Sequence, residues 1–341
     1  MSPLIASSIS PLEKLLATGK VLLADGATGT NYFQMGLTAG EPPEFWITDH
    51  PDRVMSLHQK FVDAGADIIL TDTFGCNRHR LKLHNAQARV HELASEAARL
   101  ARKVADNAGR PVIVAGSVGP TGELFEPLGA LTEAEAIDTF AEQIQGLKDG
   151  GADVAWIETM SAPEEVRAAA MAAIKVGMPY VATMSFDTAG RTMMGIMPSA
   201  LEQIFVGLDP QPLAIGANCG VGASDMLVSV SEMKSFVTPV VAKGNCGIPR
   251  FEGVSIKYSG TPELMHTYAG MAVDAGARIV GGCCGTSPEH LVAMRNALDT
   301  HVSGAAPTTE EIISKIGPLT NSVPTVADTS TRDARRRRSK D

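Results

Sequence analysis

The sequence predicts a single (β/α)8 barrel of the TIM type, on three observations. Eight apolar runs of strand length succeed one another, at 21–24, 68–71, 112–115, 154–157, 180–184, 214–217, 240–242 and 279–281. Each is continuously apolar, as strands covered on both faces of a parallel sheet must be, and helical patterns such as Val54, Leu57, Phe61 and Val62 separate most of them. A short unit also recurs: Asp63-Ala-Gly-Ala-Asp, Asp149-Gly-Gly-Ala-Asp and Asp274-Ala-Gly-Ala-Arg each end a helical pattern at a glycine two or three residues before a strand. That is the αβ loop of a repeating βα unit. Finally, polar residues follow nearly every run, which suits a barrel's ring of loops better than the single switch point of a doubly wound sheet. No G-x-G-x-x-G follows the first run, which speaks against a dinucleotide-binding sheet.

In order, the runs end in Asp25-Gly26-Ala27-Thr28-Gly29-Thr30, Asp72-Thr73-Phe74, Ser117-Val118-Gly119-Pro120, Glu158-Thr159-Met160, Ser185-Phe186-Asp187, Asn218-Cys219, Asn245-Cys246 and Cys283-Cys284. The last pair is followed by Gly285-Thr286 and then by Ser287-Pro288-Glu289, an N-cap, an N1 proline and a first-turn acid, so both thiols sit at a strand-to-helix corner. The barrel is expected to span 12–302, after an N-terminal extension at 1–11. Beyond 302 the chain turns to Ser, Thr, Pro, Asp and Ala and closes on Arg335-Arg336-Arg337-Arg338-Ser339-Lys340. A disordered tail ending in a basic run is expected there.

A chain of 341 residues that is 44% hydrophobic can bury a large core without disulfides or partners. No run of 18 apolar residues and no basic-then-apolar leader is present, so neither a membrane partner nor a signal peptide is expected, and a cytoplasmic location is. The net charge of −9 disfavours nucleic acid as a partner. Five cysteines form a sparse, odd set, which in a reducing compartment points to metal binding or catalysis.

The ring of strand ends is acidic on one side and thiol-rich on the other. Cys219, Cys283 and Cys284 at matching strand ends suggest a metal, and Zn2+ held by three thiolates keeps one tetrahedral position open for a further thiol. A thiol bound there becomes a thiolate at neutral pH, so the nucleophile would be the substrate. Cys246 also follows a strand and is a rival ligand, whereas Cys76 reads as packing. Asp25 and Glu158 could grip an α-amino group, and backbone N–H groups around Ala27, Thr28 or Gly29 could receive its carboxylate.

Asp-Gly-Ala-Thr-Gly-Thr at 25–30, Gly-Ala-Asn-Cys-Gly-Val-Gly at 216–222 and Gly-Gly-Cys-Cys-Gly-Thr at 281–286 resemble the homocysteine-binding domain of the zinc-dependent S-methyltransferases. The resemblance runs over roughly 12–300 and implies a (β/α)8 barrel with Zn2+ on Cys219, Cys283 and Cys284. It also implies homocysteine bound through Asp25 and Glu158, with Gly26, Ala27, Thr73, Ser185 and Asn218 nearby. Stretches at 154–163, 186–194, 243–249 and 258–264 are most similar to bacterial proteins assigned as betaine–homocysteine methyltransferases. The expected reaction is direct methyl transfer from betaine to the homocysteine thiolate, giving methionine and dimethylglycine.

A methylated onium donor calls for an aromatic box. The chain has two Trp, four Tyr and ten Phe, and the candidates are Tyr32, Phe45, Trp46 and Phe74. Animal betaine enzymes use aromatic residues that are absent from the matching positions here, and their long dimerising arm is absent too, so a homo-oligomer is possible but not carried over. Two alternatives remain open: a sulfonium donor (S-methylmethionine or dimethylsulfoniopropionate) or a corrinoid on a partner, and a non-enzymatic zinc–thiolate protein.

Overall fold

The computed structural model describes residues 9–252 and 255–320, with side chains at all of these but 249–257. Eight parallel strands run around one barrel: β1 (Leu22–Leu23), β2 (Ile68–Leu70), β3 (Ile113–Val118), β4 (Val154–Met160), β5 (Tyr180–Met184), β6 (Ala214–Cys219), β7 (Val240–Gly244) and β10 (Ala277–Gly282). Their order is β1-β10-β7-β6-β5-β4-β3-β2. The Ala24–Ile68 bridge and the bond from Asp25 N to Ile68 O close the ring between β1 and β2. Between β7 and β10 stands an antiparallel hairpin, β8 (Pro249–Glu252) with β9 (Ser255–Tyr258), which the apolar runs did not announce.

Side-chain alternation places Leu22, Ala24, Ile68, Leu70, Ile113, Ala115, Val154, Trp156, Val181, Ala214, Val241 and Ile279 inside the barrel. Leu12, from the helix Pro11–Ala17, joins this interior cluster. Residues of the opposite parity, such as Leu23, Ile69, Val114 and Ala155, pack outward against the helices. The recurring unit works as expected: Gly65, Gly151 and Gly276 follow the helix C-caps with φ of 96°, 96° and 107°. The aspartate in two of its copies has a further job. Asp67 Oδ2 accepts from Leu23 N, and Asp153 Oδ2 accepts from Val114 N, so each ties the bottom of the preceding strand.

Two sets of boundaries shift. First, β3, β4, β6 and β7 continue past 115, 157, 217 and 242, because their ladders persist through Val118–Ile157, Met160–Met184 and Cys219–Gly244, so Ser117, Glu158 and Asn218 stand on strands at the barrel's upper rim. Secondly, the disorder expected from 303 onward is corrected for 303–320. Thr308 and Glu311 form a capping box at the start of the helix Thr309–Lys315, and Ile312 is buried. Ser224 Oγ then donates to Gly317 O, and Thr320 N to Asp225 Oδ2. The basic run at 335–340 lies outside the described residues. Among the described residues, no helix is long and apolar enough to cross a membrane.

Candidate active site with a three-thiol cluster

The sulfur atoms of Cys219, Cys283 and Cys284 lie within 4.8 Å of one another, with Cys219 Sγ and Cys284 Sγ 3.9 Å apart. Four ligands at about 2.3 Å from a tetrahedral zinc stand about 3.8 Å from one another, so the donor set fits such an ion. Cys246 does not join them: its buried thiol faces Gly260, and burial pushes it up to about 12. Cys76 is buried in the outer core, as expected. Without a metal the three thiols share hydrogen bonds, and those from Cys219 and then Cys283 pull Cys284 well down while Cys219 rises.

Local backbone choices bring the sulfurs together. Cys219 has a left-handed φ of 59°, uncommon for a non-glycine residue, where β6 ends and the chain turns. Asn245, just past β7, links both thiol loops: its Nδ2 donates to Gly220 O, and its Oδ1 accepts from Cys284 N. Cys283 N donates to Gly244 O, and Cys246 N to Cys284 O. The first loop docks on the same corner. Ala27 N and Asn31 Nδ2 donate to Thr286 O, and a Cβ on Gly26 would come within 2.5 Å of that oxygen, so glycine is required. Tyr258, at the end of the hairpin, stands beside Cys284, and burial followed by that neighbour raises its phenol.

The acidic half is buried. Asp25 Oδ2 accepts from Leu70 N at 2.7 Å, and Asp25 Oδ1 accepts from Lys243 Nζ at 2.8 Å, with the two side chains 1% and 2% exposed. Burial lifts Asp25 above the usual carboxylate range despite this lysine. Burial would lower Lys243, but Asp25 and Glu158 together hold it above its ordinary value. Glu158 Oε1 accepts from Ser117 Oγ at 2.5 Å, and burial pushes its carboxyl up to about 7 against the pull of Lys243.

Several residues expected near the substrate also make hydrogen bonds within the protein. Asn218 is fully buried: its Oδ1 accepts from Thr159 N and Thr183 Oγ1, and its Nδ2 donates to Thr159 Oγ1. Thr73 Oγ1 donates to Ser117 O, and Ser185 Oγ to Asp187 Oδ2 at 3.4 Å. The Ala27 amide, one of three considered for a carboxylate, is committed to Thr286.

The open aromatic box is corrected. Tyr32 and Trp46 are closed off in the core at 0% and 1% exposure, stacked 4.8 Å apart, with His50 and Arg53 also against the indole. Phe45 is half-buried and packs on His84 and Arg89, and Phe74 is the most exposed of the four, at 37%. Below them the sequence left unremarked a buried pair of acids. Glu44 Oε1 accepts from Gly75 N, and burial followed by Glu44 raises Asp72.

A parallel (β/α)8 barrel with convergent thiols and buried carboxylates at its C-terminal mouth is a TIM-type enzyme architecture with a candidate soft-metal centre. The model of the homocysteine S-methyltransferase family matches residues 22–298, and the chain belongs to that family. It is 31% identical over 290 residues to methionine synthase of Mycobacterium tuberculosis, covering 80% of this chain and 24% of that one. With methionine synthase of Mycobacterium leprae the identity is 29%, over 84% of this chain and 25% of that one. The chain thus spans about a quarter of the length of these curated relatives. Among solved structures, the metallated homocysteine methyltransferase MmuM of Escherichia coli superposes with a TM-score of 0.72. It is 22% identical, and the match covers 84% of this chain and 99% of that one, a likeness of fold.

Proposed function

We propose that the protein is a zinc-dependent methyltransferase that methylates the thiol of homocysteine to form methionine. The observation that carries this reading is the set of three thiols within 4.8 Å at the mouth of a homocysteine S-methyltransferase barrel, with an acidic half facing them. Cys219, Cys283 and Cys284 would hold the metal, which when bound supplies the Lewis acidity that keeps a substrate thiol deprotonated at neutral pH. The buried acids Asp25 and Glu158 bias the mouth towards the substrate's ammonium, with Gly26, Ala27, Thr73, Ser185 and Asn218 near it, of which Thr73 and Asn218 also tie neighbouring strands. The barrel mouth would fix the line of approach, so that the new S–CH3 bond forms as the donor–CH3 bond breaks, its electron pair leaving with the donor. No proton transfer to the donor is required.

For the donor, the small-onium reading keeps betaine first, giving dimethylglycine. Its support is the similarity of several stretches to bacterial proteins assigned as betaine–homocysteine methyltransferases. The closed Tyr32–Trp46 stack, which offers no open aromatic box, and the similarity to two methionine synthases support a second reading, a methyl group delivered by a corrinoid on a partner.

The test is methionine formation by the zinc-loaded protein from homocysteine with betaine, dimethylsulfoniopropionate, S-methylmethionine or methylcobalamin. Turnover with betaine establishes the first donor reading, and turnover only with the corrinoid establishes the second. A chain that takes up zinc but neither binds nor methylates homocysteine would refute both, leaving a non-enzymatic zinc–thiolate protein.

A further inference from the structure

Lys243 is a feature of the site that neither the motifs nor the thiol chemistry requires. It is a lysine near the end of an otherwise apolar strand, 2% exposed, on β7 between the two strands whose ends carry the thiols. Lysine is almost never fully buried without a partner. Its stem fits because β10 carries glycine opposite: Gly281 pairs with Lys243, and a Cβ on Gly281 would come within 2.9 Å of the lysine Cγ. Its ammonium donates to Asp25 Oδ1 at 2.8 Å and to Asp25 O at 3.3 Å. The other oxygen of Asp25 is taken by the Leu70 amide. Asp25 therefore has a cation and an amide in place before any substrate arrives. Glu158 differs. Ser117 occupies its Oε1, and among the described residues no protein donor is recorded for its Oε2.

We propose that Lys243 is a specificity-determining residue: its ammonium holds the position beside Asp25 that a substrate's amino group would otherwise take, leaving Glu158 as the carboxylate that recognises that group. The inference rests on the homocysteine reading above and divides the labour of its acidic half. Asp25 with Lys243 forms a hydrogen-bonded, neutral buttress under the first loop, and Glu158, which feels the lysine only at a distance, supplies the remaining acid. The ligand class follows. The site takes a thiol with a single ammonium, and the internal lysine weakens its selection for that ammonium relative to a site in which both acids were free.

The experiment compares two probes on the full-length, zinc-loaded chain by titration calorimetry: homocysteine, and 4-sulfanylbutanoate, the same thiol acid without the amino group. The readout is the ratio of their dissociation constants, which a loss of general stability does not move. Glu158→Gln is expected to collapse the preference for homocysteine at least tenfold while leaving the desamino thiol within about twofold. Lys243→Met frees Asp25 and is expected to raise the preference at least tenfold; Lys243→Gln, which preserves a donor to Asp25, serves if the first variant fails to hold one zinc per chain. An unchanged or lowered preference on removing the lysine's charge overturns the inference, as does an undiminished preference in Glu158→Gln. A wild-type chain that binds the desamino thiol as tightly as homocysteine also overturns it, and one that binds neither thiol removes the homocysteine reading with it.

Discussion

Replacing Glu158 by glutamine tests the electrostatics of the mouth without reference to any donor. Its carboxyl is lifted from 4.5 to about 7, first by burial, with Lys243 and the Ser117 hydroxyl only partly offsetting that effect. The folded state therefore binds a proton more tightly than the unfolded chain does. Between about pH 4.5 and pH 7 the native protein holds more protons, so stability falls as pH rises through this window, and the full penalty is present above it. At about 1.36 kcal/mol per pH unit, the cost of keeping Glu158 ionised is about 3 kcal/mol. Glutamine accepts the same Ser117 hydrogen bond but carries no charge. In the metal-free protein Glu158→Gln should thus match wild type in urea unfolding near pH 4.5 and gain up to about 3 kcal/mol by pH 8. A difference between the two proteins that stays constant from pH 4.5 to 8 would show that this carboxyl is not the strained group.

Three further outcomes follow from the same geometry. Serine at Cys219, Cys283 or Cys284 should abolish stoichiometric zinc, measured by elemental analysis, whereas serine at Cys246 should retain it, because that thiol faces Gly260. Asn245→Ala removes the bonds to Gly220 and Cys284 and should weaken zinc binding by about 10- to 100-fold in a chelator competition while the far-UV spectrum is unchanged. Trp46→Ala should cost about 3–5 kcal/mol of stability in denaturant unfolding, yet leave the Michaelis constant for any donor within about twofold, since the indole is closed in the core.

The barrel was legible because its signals are local. Continuous apolar runs and the glycine repeated after three of the helices report burial on two faces and a left-handed turn, and both survive without knowledge of neighbours. The thiol cluster was legible for a related reason: cysteine is rare here and four of the five mark strand ends, although position alone left Cys246 a rival that only the structure sets aside. What the sequence hid depends on pairing across the sheet. Nothing near Lys243 in the chain says that Asp25, 218 residues away, lies 2.8 Å from its ammonium. Tyr32 and Trp46 were misjudged because a short aromatic-bearing segment reads alike whether it lines a pocket or packs inward; only the stack with His50 and Arg53 distinguishes the two. The helix Thr309–Lys315 was missed because a biased composition outweighed its Thr308–Glu311 capping box and one buried isoleucine.

The four residues from Lys243 to Cys246 show how the two halves of the mouth are made to meet. Cys219 on β6 and Cys283 just after β10 flank β7, so their sulfurs converge only if the end of β7 stays low between them. Gly244 meets that need: it pairs with Cys219 on one side and Gly282 on the other, and the Tyr268 ring leaves only 3.1 Å for a Cβ there. One residue earlier the strand sends Lys243 to the acids; one residue later Asn245 clasps both thiol loops, and the Cys246 amide holds Cys284 O. A displacement of β7 would therefore shift the candidate metal ligands and the Lys243–Asp25 pair together, while Glu158, carried by β4, would stay in place.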